Sequence, residues 1–438
     1  MMRKVHRVLA AVCAASLLIL PGCGVPGSPD GPEERMSPEN ERQGEPSHPV
    51  AALMEEGSGR LQGLAPADTL NEAYRAGYEQ FTVRVMQSLY RQDARKGEGV
   101  FFSPASVYMA LGMAAEGMKG ETLEQTLSLL GAADTETLRE GNRDLQSLLT
   151  GNPRAYFKLA NSIWIDSAFS SHVQPAFLAT NRAYYGARAV LRSFDETLVP
   201  DVNRWVSDNT DGMIPEMLEE LPADTVMLLL NTLLFDGKWA TPFDDPLPGT
   251  FFGSNGERAM PMMKQESNRL WTEDALAKVT LLDYQDERTA MLVALPQGDI
   301  ADLIRGMTGD TLSDWLASMR EEPVRVVLPQ FSLEYGTGLK DVFTSLGMTE
   351  AFTARADLSG MADNTYIGEI FHKTALKVGK EGTKAAAATA MAVCGTAART
   401  DPFKTLVADR PFLCVIFDKP TGAILFAGAV ENPTPMEG

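Results

Sequence analysis

The residue types that most often carry chemistry are scarce in this chain. Among 438 residues histidine occurs four times, at His6, His48, His172 and His372. Cysteine also occurs four times, at Cys13, Cys23, Cys394 and Cys414. A Ser-His-Asp hydrolase would have to take its base from that short set. There is no Gly-x-Ser-x-Gly elbow, no His-Glu-x-x-His and no Cys-x-x-Cys. Gly237-Lys238-Trp239 lacks the Ser/Thr and the upstream glycine of a phosphate loop. His172 follows Ser170-Ser171 in a polar turn, where exposure is expected. His372, between Phe371 and Lys373 beside a strand pattern, reads as a hydrogen-bonded core group. The expectation is a protein that is not an enzyme, with no catalytic residues, no cofactor and no metal site.

The most unusual composition lies near the C-terminus. Ala375-Leu376-Lys377-Val378 reads as a short strand. Residues 379–400 follow, a long stretch of small residues without bulky anchors, and strand patterning resumes only at Pro411. Alanine is the best helix former, but Gly382, Thr383, Thr389, Val393 and Gly395 interrupt the run and no amphipathic stripe appears. A loop this long in a compact domain is functional or disordered.

The N-terminus reads as an export signal. Arg3, Lys4 and Arg7 precede an apolar run over residues 8–20, shorter than the roughly 20 residues of a membrane-spanning helix. The run ends in Leu20-Pro21-Gly22-Cys23, which looks like a bacterial lipobox with Cys23 as the lipidated residue, although Pro21 departs from the usual pattern. The expected organisation is a signal over residues 1–22, a lipidated Cys23 and disordered tether over 23–66, and one domain over 67–438. The tether is rich in Pro, Gly, Glu and Ser and has no aromatics, too little apolar surface to order itself. As a coil of about 45 residues it reaches roughly 35–40 Å. The protein is thus expected to be exported and anchored outside the cytoplasm at the cell envelope, or released from it. No transmembrane helix is expected.

The formal net charge of −19 becomes −22 once the three basic residues of the signal are removed. An acidic surface of that size argues against a nucleic-acid partner. With the signal gone and Cys23 lipidated, Cys394 and Cys414 remain, and both are expected as free thiols, Cys414 inside a buried strand.

The elements that would hold these residues follow from periodicity. Residues 71–91 are helical, with Phe81, Val85 and Leu89 on one face, and residues 107–130 are helical with a break at 117–120. Residues 201–206 form a helix with Trp205 on its apolar face. Residues 225–235 are almost continuously apolar, the mark of a central strand covered on both faces. Further strands are expected at 158–166, 290–295, 324–333, 412–417 and 423–429. Helices come early and strands late, which gives an α+β fold in one large unit.

At this point a resemblance becomes specific. The chain resembles the serpin family over about residues 71–433. Val100-Phe101-Phe102-Ser103-Pro104-Ala105-Ser106 is followed by Gly120-Glu121-Thr122, and Val202-Asn203-Arg204-Trp205-Val206 runs on to Thr210, Gly212 and Ile214. Leu230-Asn231-Thr232-Leu233-Leu234-Phe235-Asp236-Gly237-Lys238-Trp239 is similar to the family's central strand and its exit. Leu328-Pro329-Gln330-Phe331, Leu346-Gly347-Met348 and Asp357-Leu358-Ser359-Gly360 match in order. The end, Arg410-Pro411-Phe412-Leu413 with Phe426-Ala427-Gly428 and Asn432-Pro433, matches the family signature.

The resemblance implies a mixed fold with a large central sheet, further sheets, about nine helices and an exposed reactive loop. It implies a monomer that acts as a suicide inhibitor of serine proteases. The protease cuts the loop and is held as an acyl-enzyme while the loop inserts into the main sheet. Gly382 and Thr383 become the hinge, and Ala385, Ala386, Ala387 and Ala388 present little bulk to a parting sheet. Thr383, Ala385, Ala387, Thr389, Met391 and Val393 share the inward face, with Lys384 outward. A new strand of about 12 residues yields on the order of 10 kcal/mol, so the uncut state is held kinetically. By the same resemblance Ser103, Ser106, Asn231 and His372 form a polar cluster that gates the sheet, and Trp239 marks where the loop enters.

Counting from the hinge puts the reactive bond at Thr396-Ala397; counting back from Pro411 puts it near Thr400, with Arg399 as the rival residue. Thr396 suits elastase- or subtilisin-like targets, and Arg399 would suit a trypsin-like one. Lys380 stands where the family usually has an acid. It is the one feature that favours the alternative, a non-inhibitory binding lipoprotein of the same fold.

Overall fold

The computed structural model describes residues 10–21, 69–93, 99–152, 154–382 and 403–436. Among them are sixteen strands and nine α-helices. In chain order they begin with β1 (Ala10–Pro21), α1 (Glu72–Asp93), β2 (Phe101–Phe102), α2 (Pro104–Ala115), α3 (Gly120–Leu130), α4 (Thr135–Gly151), β3 (Tyr156–Asp166), α5 (Pro175–Tyr185), β4 (Arg188–Arg192) and α6 (Leu198–Asn209). Then come β5 (Met227–Asp236), β6 (Leu247–Gly253), β7 (Gly256–Glu273), β8 (Ala277–Asp283), β9 (Thr289–Pro296), α7 (Ile300–Gly306), α8 (Thr311–Ser318), β10 (Arg320–Pro329), β11 (Phe331–Gly338) and α9 (Lys340–Ser345). The last are β12 (Thr365–Val378), β13 (Lys404–Val407), β14 (Phe412–Asp418), β15 (Ile424–Val430) and β16 (Thr434–Pro435). The expected α+β organisation, with helices early and strands late, is the one observed.

Two sheets carry the fold. The main sheet has seven strands in the order β16-β11-β12-β1-β5-β3-β4, and the second has nine, running β13-β10-β7-β8-β9-β14-β15-β2 with β6 paired to β7. The run at β5 is central because both its faces are covered. Leu229 and Leu233 point into the main core, while Leu228, Leu230 and Leu234 meet α6 through Val202 and Val206. Helix α2 is buried along its whole length and packs against β5 and β15. Its start is set by Pro104 in the first turn and by Ser103, whose side chain accepts from the Ser106 N–H.

Three expectations need correction. The strand expected at 375–378 is the end of a 14-residue strand, β12. Its half-buried lysines and the bulge at Gly368 hide it from an apolar-run reading. The single strand expected at 324–333 is two, β10 and β11, broken at Gln330, whose N–H bonds the Pro261 carbonyl. Strand structure resumes before Pro411, at β13, a four-residue edge strand parallel to β10 in which Lys404 and Thr405 are exposed. Trp205, expected on the apolar face of its helix, is half-buried and packs against the second core.

The apolar run read as an export signal also forms a strand, β1, which lies between β12 and β5 and is antiparallel to both. Leu17, Leu18 and Ile19 are fully buried and Leu20 nearly so. An apolar run of strand length satisfies a doubly covered sheet centre as well as it satisfies an export signal. Each fully buried aliphatic side chain there contributes about 1.5–3 kcal/mol. Among the described residues no helix is long and apolar enough to cross a membrane.

Candidate functional site

The site grows out of strand directions. Because β1 is antiparallel to both neighbours, β5 and β12 run the same way, and between them lies a slot that holds one 12-residue strand. The chain leaves β12 at Val378 and turns at 379–382. Any segment continuing from that turn into the slot would run antiparallel to β12, the direction the slot accepts. Twelve residues counted from Thr383 end at Cys394, two before Thr396.

The floor of the slot is polar. His372 on β12 and Asn231 on β5 are buried, and each stands opposite Ala15 of β1. His372 Nε2 accepts a 3.0 Å hydrogen bond from the Ser103 backbone N–H. An N–H can only donate, so Nε2 carries no proton and its lone pair is engaged. That is the state of a structural histidine and not of a general base. Ser103 Oγ donates to the Leu425 carbonyl at 2.7 Å and accepts from the Ser106 N–H at 3.2 Å. Ser106 Oγ bonds Asn231 Oδ1. Asn231 Nδ2 then donates to Asn161 Oδ1 at 2.7 Å, and Asn161 Nδ2 donates to the Tyr185 carbonyl at 2.7 Å. All four residues expected as the gate are therefore brought together. Asn161 on β3 and Tyr185 at the end of α5 extend the chain and were not anticipated. An asparagine inside a strand run gives no local sign of its partner, and only the pairing of Asn161 with Asn231 across β3 and β5 reveals it.

At the upper end of the slot lies the turn that holds Gly382, expected as the hinge. Trp239 is buried, stacks on Tyr284 with centroids 4.6 Å apart, and donates from Nε1 to the Gly379 carbonyl at 2.9 Å. The Phe243 N–H donates to the Lys380 carbonyl at 2.8 Å. Gly382 bridges Lys238 with φ +86°. A Cβ there would lie 2.3 Å from Lys238 Cα, so only glycine fits. Lys380 finds a local acid, since its ammonium pairs with Asp245. That hydrogen bond holds the Asp245 carboxyl below its ordinary range and raises the Lys380 ammonium.

Among the described residues no cluster of three or more metal-ligating side chains occurs. His172 is exposed and stacks on Phe169. Cys414 is a free buried thiol whose pKa burial pushes up to about 12. Thr383, Ala385, Ala386, Ala387, Ala388, Cys394, Thr396, Ala397, Arg399 and Thr400 lie outside the described residues, as does Cys23.

Comparison with known proteins agrees with this geometry. The family model described as serpin (serine protease inhibitor) matches residues 76–433. An uncharacterized serpin-like protein of Thermococcus kodakarensis is 31% identical over 381 residues, covering 83% of this chain and 89% of its own. The human plasma serine protease inhibitor is 31% identical over 363 residues, covering 79% of this chain and 87% of its own. Among solved structures the thermophilic serpin tengpin in its native state superposes with a TM-score of 0.75 at 28% identity. It covers 85% of this chain and 97% of tengpin.

Proposed function

Since the chain belongs to the serpin family, we propose that it is a suicide inhibitor of serine proteases whose cut loop fills the slot between β5 and β12. The observation that carries the reading is the slot itself. It takes one extended strand antiparallel to β12, and β12 leads through the Gly382 hinge into a run of small residues.

The chemistry belongs to the protease. Its serine attacks the Thr396 carbonyl, the Thr396–Ala397 bond breaks, and the amine of Ala397 leaves. The remaining ester joins Thr396 to the protease. Residues from Thr383 onward then enter the slot, about 40 Å of extended chain for 12 residues. The ester is carried along, and the displaced protease cannot complete hydrolysis. This chain contributes the hinge, the gate and the free energy of the added strand. Loop residues of small volume fit the shallow pockets of elastase- or subtilisin-like enzymes, with Arg399 as the route to a trypsin-like one. The Lys380–Asp245 pair supports the inhibitory reading over a non-inhibitory one, since the hinge keeps an ionic anchor despite the reversed charge. Export, a lipid on Cys23, a tether over 23–66 and a monomeric state complete the proposal.

The test mixes the exported chain, beginning at Cys23, with elastase-like, subtilisin-like and trypsin-like proteases and resolves the products on a denaturing gel. A gel-stable adduct supports trapping. A loop cut by every protease with no adduct would sink it.

A further inference from the structure

The strand found in the slot is the one the sequence marks for removal. The backbone of residues 10–21 is registered against β12 from Ala10↔Lys377 to Pro21↔Thr365, and against β5 from Ala11↔Phe235 to Ile19↔Met227. Ile19 also accepts from the Val226 N–H at 2.9 Å. The side chains fit both faces. Leu17 and Ile19 join the main core, while Leu18 joins the core under α6. Register shifts at the bulge between Leu18 and Ile19, where Gly368 stands unpaired. A Cβ on Gly368 would lie 2.3 Å from Leu20 Cδ1, so the glycine makes room for that leucine.

Residues 10–21 and the segment following Gly382 need the same hydrogen-bonding edges in the same direction. Two strands cannot hold them together. We propose that the slot is a binding site for this chain's own apolar leader, and that a precursor retaining the leader is inert as a trap. Removal of residues 1–22 then vacates the slot and arms the inhibitor. This rests on the inhibitory reading above and adds a control that the reading does not contain. The ligand class is an extended apolar peptide, recognised by main-chain pairing on both sides.

The test uses the full 438-residue chain, produced without export, beside the exported chain. The wild-type full chain is expected to be cut in its loop with at least tenfold less gel-stable adduct than the exported chain gives. Ile19→Asp, which puts a carboxylate into a fully buried position, is expected to raise the adduct to the exported level. A synthetic peptide of residues 10–21, added to the exported chain, is expected to suppress the adduct at least tenfold, and this arm needs no folded variant. Equal adduct from the wild-type full chain and the exported chain would overturn the proposal. Hydrogen exchange separates it from the parent reading. Amides of Met227–Asp236 and Thr365–Val378 should be protected in the full chain and lose protection in Ile19→Asp. If exchange behaves so while no protease ever forms an adduct, the inhibitory reading fails and the leader site stands. Equal protection in both chains overturns the leader site whatever the gel shows.

Discussion

His372 and Asn231 share one partner: Ala15 stands opposite both, one on each edge of the slot. With a strand between them they are two strand spacings apart, roughly 9.5 Å. Each is held from below by the same short segment, His372 by the Ser103 N–H and Asn231 by the Ser106 hydroxyl. Those two serines are in turn joined by the N-cap of α2. The start of one buried helix thus ties both walls of the slot.

That arrangement makes the two walls energetically coupled. His372→Ala leaves the Ser103 N–H buried without its acceptor, which costs about 1–3 kcal/mol. Asn231→Ala breaks the link from Ser106 to Asn161 at a similar cost. In urea unfolding the double variant should depart from the sum of the singles by about 0.5–3 kcal/mol. Strict additivity would show that the α2 cap does not connect the walls.

Gly382→Ala should lower the stability of the uncut protein. The left-handed backbone alone costs an L-residue about 1–2 kcal/mol, and the contact with Lys238 adds to it. Thermal unfolding reads the loss. An unchanged midpoint would mean that the hinge does not hold the conformation described.

The Lys380–Asp245 pair gives a pH dependence of definite sign. Asp245 is held below its ordinary range, so its contribution is present above the unfolded carboxylate value, about 3.9, and is lost as pH falls through the lowered folded value. Lys380 is raised, so its contribution is lost only as pH rises through its folded value, above about 10.4. The unfolding midpoints of wild type and Lys380→Met should differ slightly and constantly near neutral pH and converge in strong acid. Both side chains are solvated, so added salt should shrink the neutral difference.

Cys414 should resist thiol reagents in the native state. Its pKa of about 12 leaves almost no thiolate at pH 8, and the side chain is fully buried. Peptide mapping after alkylation should find Cys414 modified only in denaturant. Native labelling would mean that the strand β14 opens.

Much of the scaffold was legible because it rests on composition that acts locally. The apolar run at β5 and the broken helical pattern near Gly117 can be read without knowing the neighbours. What escaped depends on distant partners. β12 has to satisfy β11 on one edge and β1 on the other while its half-buried lysines interrupt the apolar residues, so only its last four residues looked like a strand. Asn161 joins the buried polar cluster only when β3 pairs with β5. Asp245 answers Lys380 across 135 residues of sequence. The run at 8–20 was legible as apolar, but its place in the sheet was not, because the same leucines suit a membrane and a sheet centre.

Inhibition by this chain requires that the cut loop add a strand between β5 and β12. The most direct measurement is the thermal unfolding midpoint of the exported chain before and after a single cut in residues 393–400. Insertion should add on the order of 10 kcal/mol and raise the midpoint by roughly 15–30 °C. A cut chain that melts where the uncut chain does would contradict it.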